Sequence, residues 1–421
     1  MPAEHAGRRT FRVDPSGTRS DGFRSLHQAV REAPSGATLV LAPVVHDIEG
    51  SMLSINKSLR FVGETHPSGA RAEIFGLPAN PEETSLVFIR QQEHDIAVSF
   101  RDIAIRASRV PDSVHDRAVD CLRVQGGKRG VRTLVSCDSV TFSHASGGVC
   151  IEHDIFGDGP SDSDLVVRLT DCVITDIFDD RLATGAKGQG HAQGVYHDGG
   201  TLLMERVVLR RIGFVPGSEL YARSNKNQGL YAVRGVRRIL SCVAEQVSHC
   251  GFAYRAGQTY SEGNACIRTP MGFQAGHRQT PHLAVVVSVG DRVLDSESFP
   301  DVADRSPTIT CGFHIDEAQA VSLTGFAASN RTGAGGWAGL HLSRVASTRI
   351  DVRDVTISHW PGGGFRTIAP LDAALHRFER VRVLRSSETM PGFLAPQVGS
   401  DGLPAGGVFV SCSVELATPG A

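Results

Sequence analysis

The chain has 421 residues, 46 of them glycine, with aromatic residues at 6% and a formal net charge of −2. That balance argues against a polyanion-binding surface of the nucleic-acid kind, and no apolar run approaches membrane-spanning length. Met1 to Arg9 carry no apolar signal-peptide core, so a cytoplasmic location is expected. No Pro/Ser-rich linker or shift of composition divides the chain, and one domain over residues 1–421 is expected despite the length.

The run from Asp21 to Ala33 places Phe23, Leu26, Val30 and Ala33 at helical spacing behind a Ser20/Asp21 cap. This predicts a short amphipathic helix over the first coil, within an N-terminal cap of about residues 1–45. Strand-like runs follow at Thr38-Leu39-Val40-Leu41 and Leu59-Arg60-Phe61-Val62. From there two signals alternate. The first is a polar bend between apolar residues: Phe100-Arg101-Asp102-Ile103, Leu169-Thr170-Asp171-Cys172, Met204-Glu205-Arg206-Val207, Val352-Arg353-Asp354-Val355 and Phe378-Glu379-Arg380-Val381. The second is a strand led by glycine: Gly148-Val149-Cys150-Ile151, Gly194-Val195-Tyr196-His197, Gly229-Leu230-Tyr231-Ala232, Gly251-Phe252-Ala253-Tyr254, Gly312-Phe313-His314-Ile315, Gly339-Leu340-His341-Leu342, Gly364-Phe365-Arg366-Thr367 and Gly407-Val408-Phe409-Val410. Repetition every few tens of residues marks a solenoid. Two or three short strands per repeat, stacked in parallel, bury a narrow aliphatic core and make an all-β parallel β-helix. Residues 176–228 and 258–304 read as loop insertions.

With its entry run Phe11-Arg12-Val13-Asp14-Pro15-Ser16-Gly17, the helix signal, Gly36-Ala37-Thr38-Leu39-Val40-Leu41 and Leu59-Arg60-Phe61-Val62-Gly63, the chain resembles the right-handed parallel β-helix superfamily, the pectate lyase and pectin lyase-like fold. The resemblance spans almost the whole chain. It implies the fold and a carbohydrate substrate by analogy, and says little about the reaction. Asp179-Asp180 followed by Gly190-His191 resembles a polygalacturonase-type glycosidase pattern, though with too short a gap and with Ala192 in place of the second glycine. Asp154-Ile155-Phe156-Gly157 resembles a piece of the pectin methylesterase signature without its companions.

Nine cysteines, with no Cys-x-x-Cys and no Cys/His grouping at zinc spacing, read as small buried residues, with Cys137, Cys172, Cys242 and Cys412 at or beside bends. No acidic ladder suggests calcium. No metal or cofactor is expected.

In the Gly-led strands the variable position points away from its apolar neighbours and is filled in turn by Cys150, Tyr196, Tyr231, Ala253, His314, His341, Arg366 and Phe409. Such a column offers groups that exchange protons, bind anions and stack on rings; the plainer reading is a random mix of exposed residues. Asp179, Asp180, Lys187, His191, Tyr196, His197 and Asp198 lie in the densest polar cluster, and strict alternation points His197 inward. There it is as often structural as catalytic. The next loop supplies Arg223 and Lys226 as positive charge for an anionic group.

The candidate catalytic residues are therefore Tyr196, His197, Tyr231, His191 and His314. Asp179, Asp180, Lys187, Asp198, Arg223, Lys226, His341 and Arg366 are the candidate binding residues. Two functions compete. One is an enzyme of lyase, epimerase or dehydratase type acting on a small or oligosaccharide ligand, anionic in character, with a Tyr or His base. The other is a noncatalytic scaffold binding a protein or glycan. A glycoside hydrolase is a further alternative.

Overall fold

The structure is a computed structural model and describes residues 10–17, 22–80, 82–90, 93–108, 119–126, 129–152, 164–178, 192–214, 227–281, 283–297, 310–330, 336–385, 392–399 and 402–416. Its strands stack in parallel, each on its counterpart in the coil before, and form three sheets. Sheet I runs through Ala37–Leu41, Leu59–Gly63, Ile96–Arg101, Thr133–Asp138 and Leu165–Thr170 to Val408–Val410. Sheet II runs through Val45–Asp47, Ala72–Gly76, Ile103–Ala107, Thr141–Ser143 and Val173–Ile177 to Ser413–Leu416. Sheet III runs through Leu53–Ile55, Ser85–Arg90, Asp120–Gln125 and Gly147–Glu152 to Phe393–Leu394. The chain is a parallel β-helix, in agreement with the superfamily it resembles.

The polar bends are the corners between sheets I and II. Asp102, Asp171, Arg206, Asp354 and Arg380 all take left-handed backbone, with φ between 52° and 56°. One such residue turns the strand direction while the apolar residues on either side stay in the core. Corner side chains also pair from coil to coil: Arg206 donates to Asp171 at 2.7 and 2.9 Å, and Arg380 to Asp354 at 2.5 and 2.9 Å. These pairs are exposed and contribute little to stability.

The Gly-led signal has a steric cause. A Cβ on Gly148 would lie 2.4 Å from the carbonyl oxygen of Gly194, one on Gly194 2.5 Å from that of Gly229, and one on Gly229 2.5 Å from that of Gly251. The series continues through Gly272, Gly312 and Gly339. Each glycine lets the backbone of one coil approach that of the next more closely than any side chain permits. The core follows the same register, with Phe252, Phe273 and Phe313 stacked at centroid distances of 5.3 and 5.7 Å.

Five expectations change. The helix spans Leu26–Glu32 and buries Leu26, Ala29 and Val30, but its N-cap is Ser25, whose hydroxyl accepts from Gln28 N; Ser20 and Asp21 lie outside the described residues. Much of residues 1–45 is already solenoid, because Thr10–Val13 pairs with Ala37–Leu41 in sheet I. The described part of 258–304 is not a loop insertion: Gly257–Glu262, Ala265–Ile267, Met271–Ala275, Ala284–Val289 and Arg292–Leu294 are regular strands in all three sheets. Likewise 176–228 contains the paired strands Gln193–Glu205 and Val208–Ile212. Phe409 leaves the Gly-led column, since it stacks on Phe378 of sheet I at 4.7 Å and packs against the core.

None of the nine cysteines forms a disulfide, and only Cys412 is partly exposed. Burial pushes the thiols up, Cys172 to about 11 and Cys250 to about 12, which opposes thiolate formation.

Gly229→Ala should cost about 3 kcal/mol or more through backbone displacement. Gly290→Ala, with positive φ but open space at its Cβ, should cost about 1 kcal/mol. Equal shifts in urea midpoint would contradict the close-approach account. Thiol titration of denatured, unreduced protein should recover nine thiols, with Cys412 alone reacting quickly in the native state; one native disulfide would overturn both the disulfide-free structure and the cytoplasmic location expected from the sequence.

Candidate functional site

The register of sheet III aligns the variable positions in one outward column. Arg123 pairs with Cys150, then Tyr196, Tyr231, Ala253, Gln274, His314, His341 and Arg366 follow in turn. Their neighbours along each strand, such as Leu230 and Ala232 or Phe313 and Ile315, fill the core. An outward column on an open sheet is normally solvated, as in sheet I, where Leu134 is 43% and Tyr260 36% exposed. Here Cys150, Ala253, Gln274, His314 and His341 are buried, and Tyr196 and Tyr231 half-buried.

The tyrosine rings lie 5.8 Å apart, tilted by 36°. Tyr196 donates its hydroxyl proton to Asp198 at 3.4 Å, and Asp198 accepts two bonds from Arg234, at 2.5 and 2.9 Å. The guanidinium of Arg255 sits 5.2 Å from the Tyr231 ring centroid, a cation–π distance. Farther along, His314 and His341 are 5.2 Å apart, with Trp337 4.6 Å from His341.

Burial moves these groups toward their neutral forms. Tyr196 is pushed far up, first by desolvation and then by Asp198 and other acidic neighbours, so its hydroxyl is a proton donor and a poor base. Desolvation and surrounding positive charge hold His314 and His341 down at about 3. Asp120, two coils before Tyr196, is pushed up to about 7 by desolvation against the opposing charge of Arg123. A carboxyl that titrates near neutrality is suited to acid–base work.

His197 is not brought to this face. It points into the interior, fully buried, with its Cε1 2.9 Å from the position a Cβ on Gly235 would take. Burial and Arg237 hold its pKa well down, and the carboxylate of Asp198 is turned to Arg234 instead of to this imidazole. Asp179, Asp180, Lys187, His191, Arg223 and Lys226 lie outside the described residues, as does Asp154-Ile155-Phe156-Gly157. Among the described residues no group of His, Cys, Asp or Glu is placed to hold a metal ion.

The face also contains residues that the sequence pattern passed over. Gly272-Phe273-Gln274-Ala275 fits the Gly-led pattern, but lies inside the stretch read as a loop. Arg123 has no leading glycine. Arg255 occupies the next outward position after Ala253, where period-two alternation could have found it.

No family model and no curated protein sequence matches the chain. Similar solved structures include the A-module of a mannuronan C-5 epimerase from Azotobacter vinelandii, with 12% identity over 93% of this chain and 90% of that one and a TM-score of 0.39. An alginate lyase from Paenibacillus sp. has 11% identity over 97% and 99% of the two chains and a TM-score of 0.35. A family 28 exopolygalacturonase from Yersinia enterocolitica has 9% identity over 98% and 79% and a TM-score of 0.36. Scores this low carry no inference about activity; the parallel β-helix is established by the strand pairing itself.

Because the folded pKa of His314 and of His341 lies below the unfolded value of about 6.5, the unfolded chain binds more protons in the interval between. Stability present above pH ~6.5 is therefore lost as pH falls toward 3, on the order of 2 kcal/mol per histidine by pH ~5. Urea titrations should show this slope, and the double variant His314→Gln/His341→Gln should flatten part of it. An unchanged slope would mean that neither imidazole is held neutral.

Proposed function

We propose that the outer face of sheet III is the active surface of a carbohydrate-active enzyme, of lyase, epimerase or dehydratase type, that moves protons on an anionic sugar or a carboxylated small molecule. One observation supports this above the others: the column from Arg123 to Arg366 is in register, mostly polar and buried or half-buried, whereas a scaffold column would lie flat and exposed. Tyr196 serves as proton donor, oriented by Asp198. Tyr231 and Trp337 offer aromatic faces to a sugar ring, and Arg255 and Arg366 offer charge to a carboxylate. Asp120 and the neutral histidines are the candidate proton acceptors. The helix Leu26–Glu32 we assign to closing the first coil, which keeps a solenoid end from exposing its core.

The scaffold reading is favoured by one feature elsewhere. A groove of about 680 Å³ on the outer face of sheet I is lined by Arg60, Ala97, Ser99, Leu134, Ser136 and Arg168. The glycoside hydrolase alternative rests on Asp179, Asp180 and His191.

Polygalacturonate, alginate and their oligomers are the first substrates to offer, with elimination read from ultraviolet absorbance of the new C=C bond and epimerisation from deuterium uptake. On a polymer that is turned over, Tyr196→Phe should lower kcat by roughly 10²–10⁴-fold with circular dichroism unchanged. Undiminished turnover would remove Tyr196 from the site. Oligosaccharide binding without turnover, abolished by Leu134→Asp, would put the scaffold reading ahead.

A further inference from the structure

The polar atoms that the tyrosine pair leaves unused converge around His314. Asp316 follows it by two residues and so points to the same outward side, and Ser343 pairs with Asp316 from the next coil. Ile315 and Leu342, each one residue earlier, fill the core. The Ser343 hydroxyl donates to Asp316 Oδ1 at 3.1 Å, and His314 Nε2 lies 2.7 Å from that same hydroxyl oxygen. Arg344 donates to the other carboxylate oxygen of Asp316 at 2.5 Å.

A hydroxyl has one proton, and here it is committed to Asp316. His314 Nε2 must therefore donate to Ser343, which fixes the neutral Nε2–H tautomer and leaves Nδ1 as a bare acceptor. That Nδ1 is buried without a hydrogen-bond partner, on a residue only 7% exposed. Two more atoms on this face share its condition: His341 Nδ1, on a residue 3% exposed, and Arg255 Nε, on one 7% exposed. A buried polar atom left unpaired is costly, and three on one outward face are met most simply by the polar groups of a ligand. The arrangement is not that of a nucleophilic serine. In a Ser-His-Asp triad the carboxylate orients the far nitrogen of the imidazole, whereas here it takes the serine proton.

We propose that His314, Ser343 and Asp316 form a proton relay that removes a proton from a bound ligand at His314 Nδ1 and delivers one to Asp316, with Arg255 facing the ligand's anionic group. The ligand's C–H or O–H bond breaks, its electron pair stays on the ligand, and its proton bonds to Nδ1. The Nε2 proton moves to Ser343 Oγ, and the original Ser343 proton moves to Asp316 Oδ1. Serine ends unchanged, imidazole ends as the neutral Nδ1–H tautomer, and the negative charge has passed from Asp316 to the ligand. No imidazolium forms at any stage. Its formation is opposed by burial and by Arg344, Arg255, His249 and His277 around His314, which together hold this pKa at about 3.

The rate test below rests on the enzyme reading given above; the tautomer test does not. Nitrogen-15 spectra of the full chain labelled at histidine, with His314 assigned through His314→Gln, should show a neutral Nε2–H imidazole from pH ~5 to ~8. Ser343→Ala should turn it into a tautomer mixture, and Ser343→Thr should restore it. An Nδ1–H or titrating imidazole in the wild type, or a tautomer indifferent to Ser343→Ala, overturns the relay. On a uronate polymer that is turned over, Ser343→Ala should lower kcat by about 10²-fold with KM little changed, and Ser343→Thr should recover most of it. If Tyr196→Phe slows turnover and Ser343→Ala does not, the enzyme reading stands and the relay falls. If no polymer is turned over, the tautomer measurement alone decides the relay.

Discussion

Close contact between glycine backbones in successive coils is the constraint on which the rest of sheet III depends. With each Cβ position within 2.3–3.2 Å of the next glycine carbonyl from Gly148 to Gly339, only glycine satisfies the ladder, and only one register brings glycine onto glycine. A slip by one residue would drive a side chain into a carbonyl and turn every core residue outward. The stacked phenylalanines inside and the column from Arg123 to Arg366 outside are two consequences of this one register.

The outward column sits where charge is poorly solvated. Tyr196 is pushed up, His314 and His341 down, and Asp120 up, each toward neutrality. Two carboxylates on this face are each met directly by an arginine, Asp198 by Arg234 and Asp316 by Arg344. In such a setting protons pass between neutral partners more readily than through a free imidazolium or phenolate, and under the proposed function a ligand's new charge would be met by dipoles and guanidinium groups already in place.

Much of this was legible in the sequence, for reasons that also explain the misses. The bends at Asp102, Asp171, Arg206, Asp354 and Arg380 stand out because one left-handed polar residue between core residues is a local feature. Tyr196 and Tyr231 were aligned correctly because both follow a ladder glycine. Residues 258–304 hide a coil because their strands are short and the Gly272 rung directly follows the polar run Arg268-Thr269-Pro270 and a single methionine. Phe409 misled because Gly407 lies outside the ladder: Val408 and Val410 face outward there, and the aromatic ring takes the inner side. Asp316, Ser343 and Arg255 do not stand out in the sequence because the Gly-led pattern marks one variable position per strand, although the next position of the same parity shares the face. Nothing local marks a residue whose partner is one coil away.

The two kinds of corner set different limits on how this chain can change. From Ile96–Arg101 onward sheets I and II are joined by at most two residues, one of them in left-handed geometry, so an inserted residue there would break the register of every coil beyond it. The connections from sheet II to sheet III tolerate length: 178–192, 213–227 and 295–309 all leave strand pairing intact on both sides. Variation is thereby channelled to one edge of the solenoid, the edge that borders the tyrosine and histidine columns. The lengths of those connections can therefore change without disturbing the register that aligns the column on sheet III.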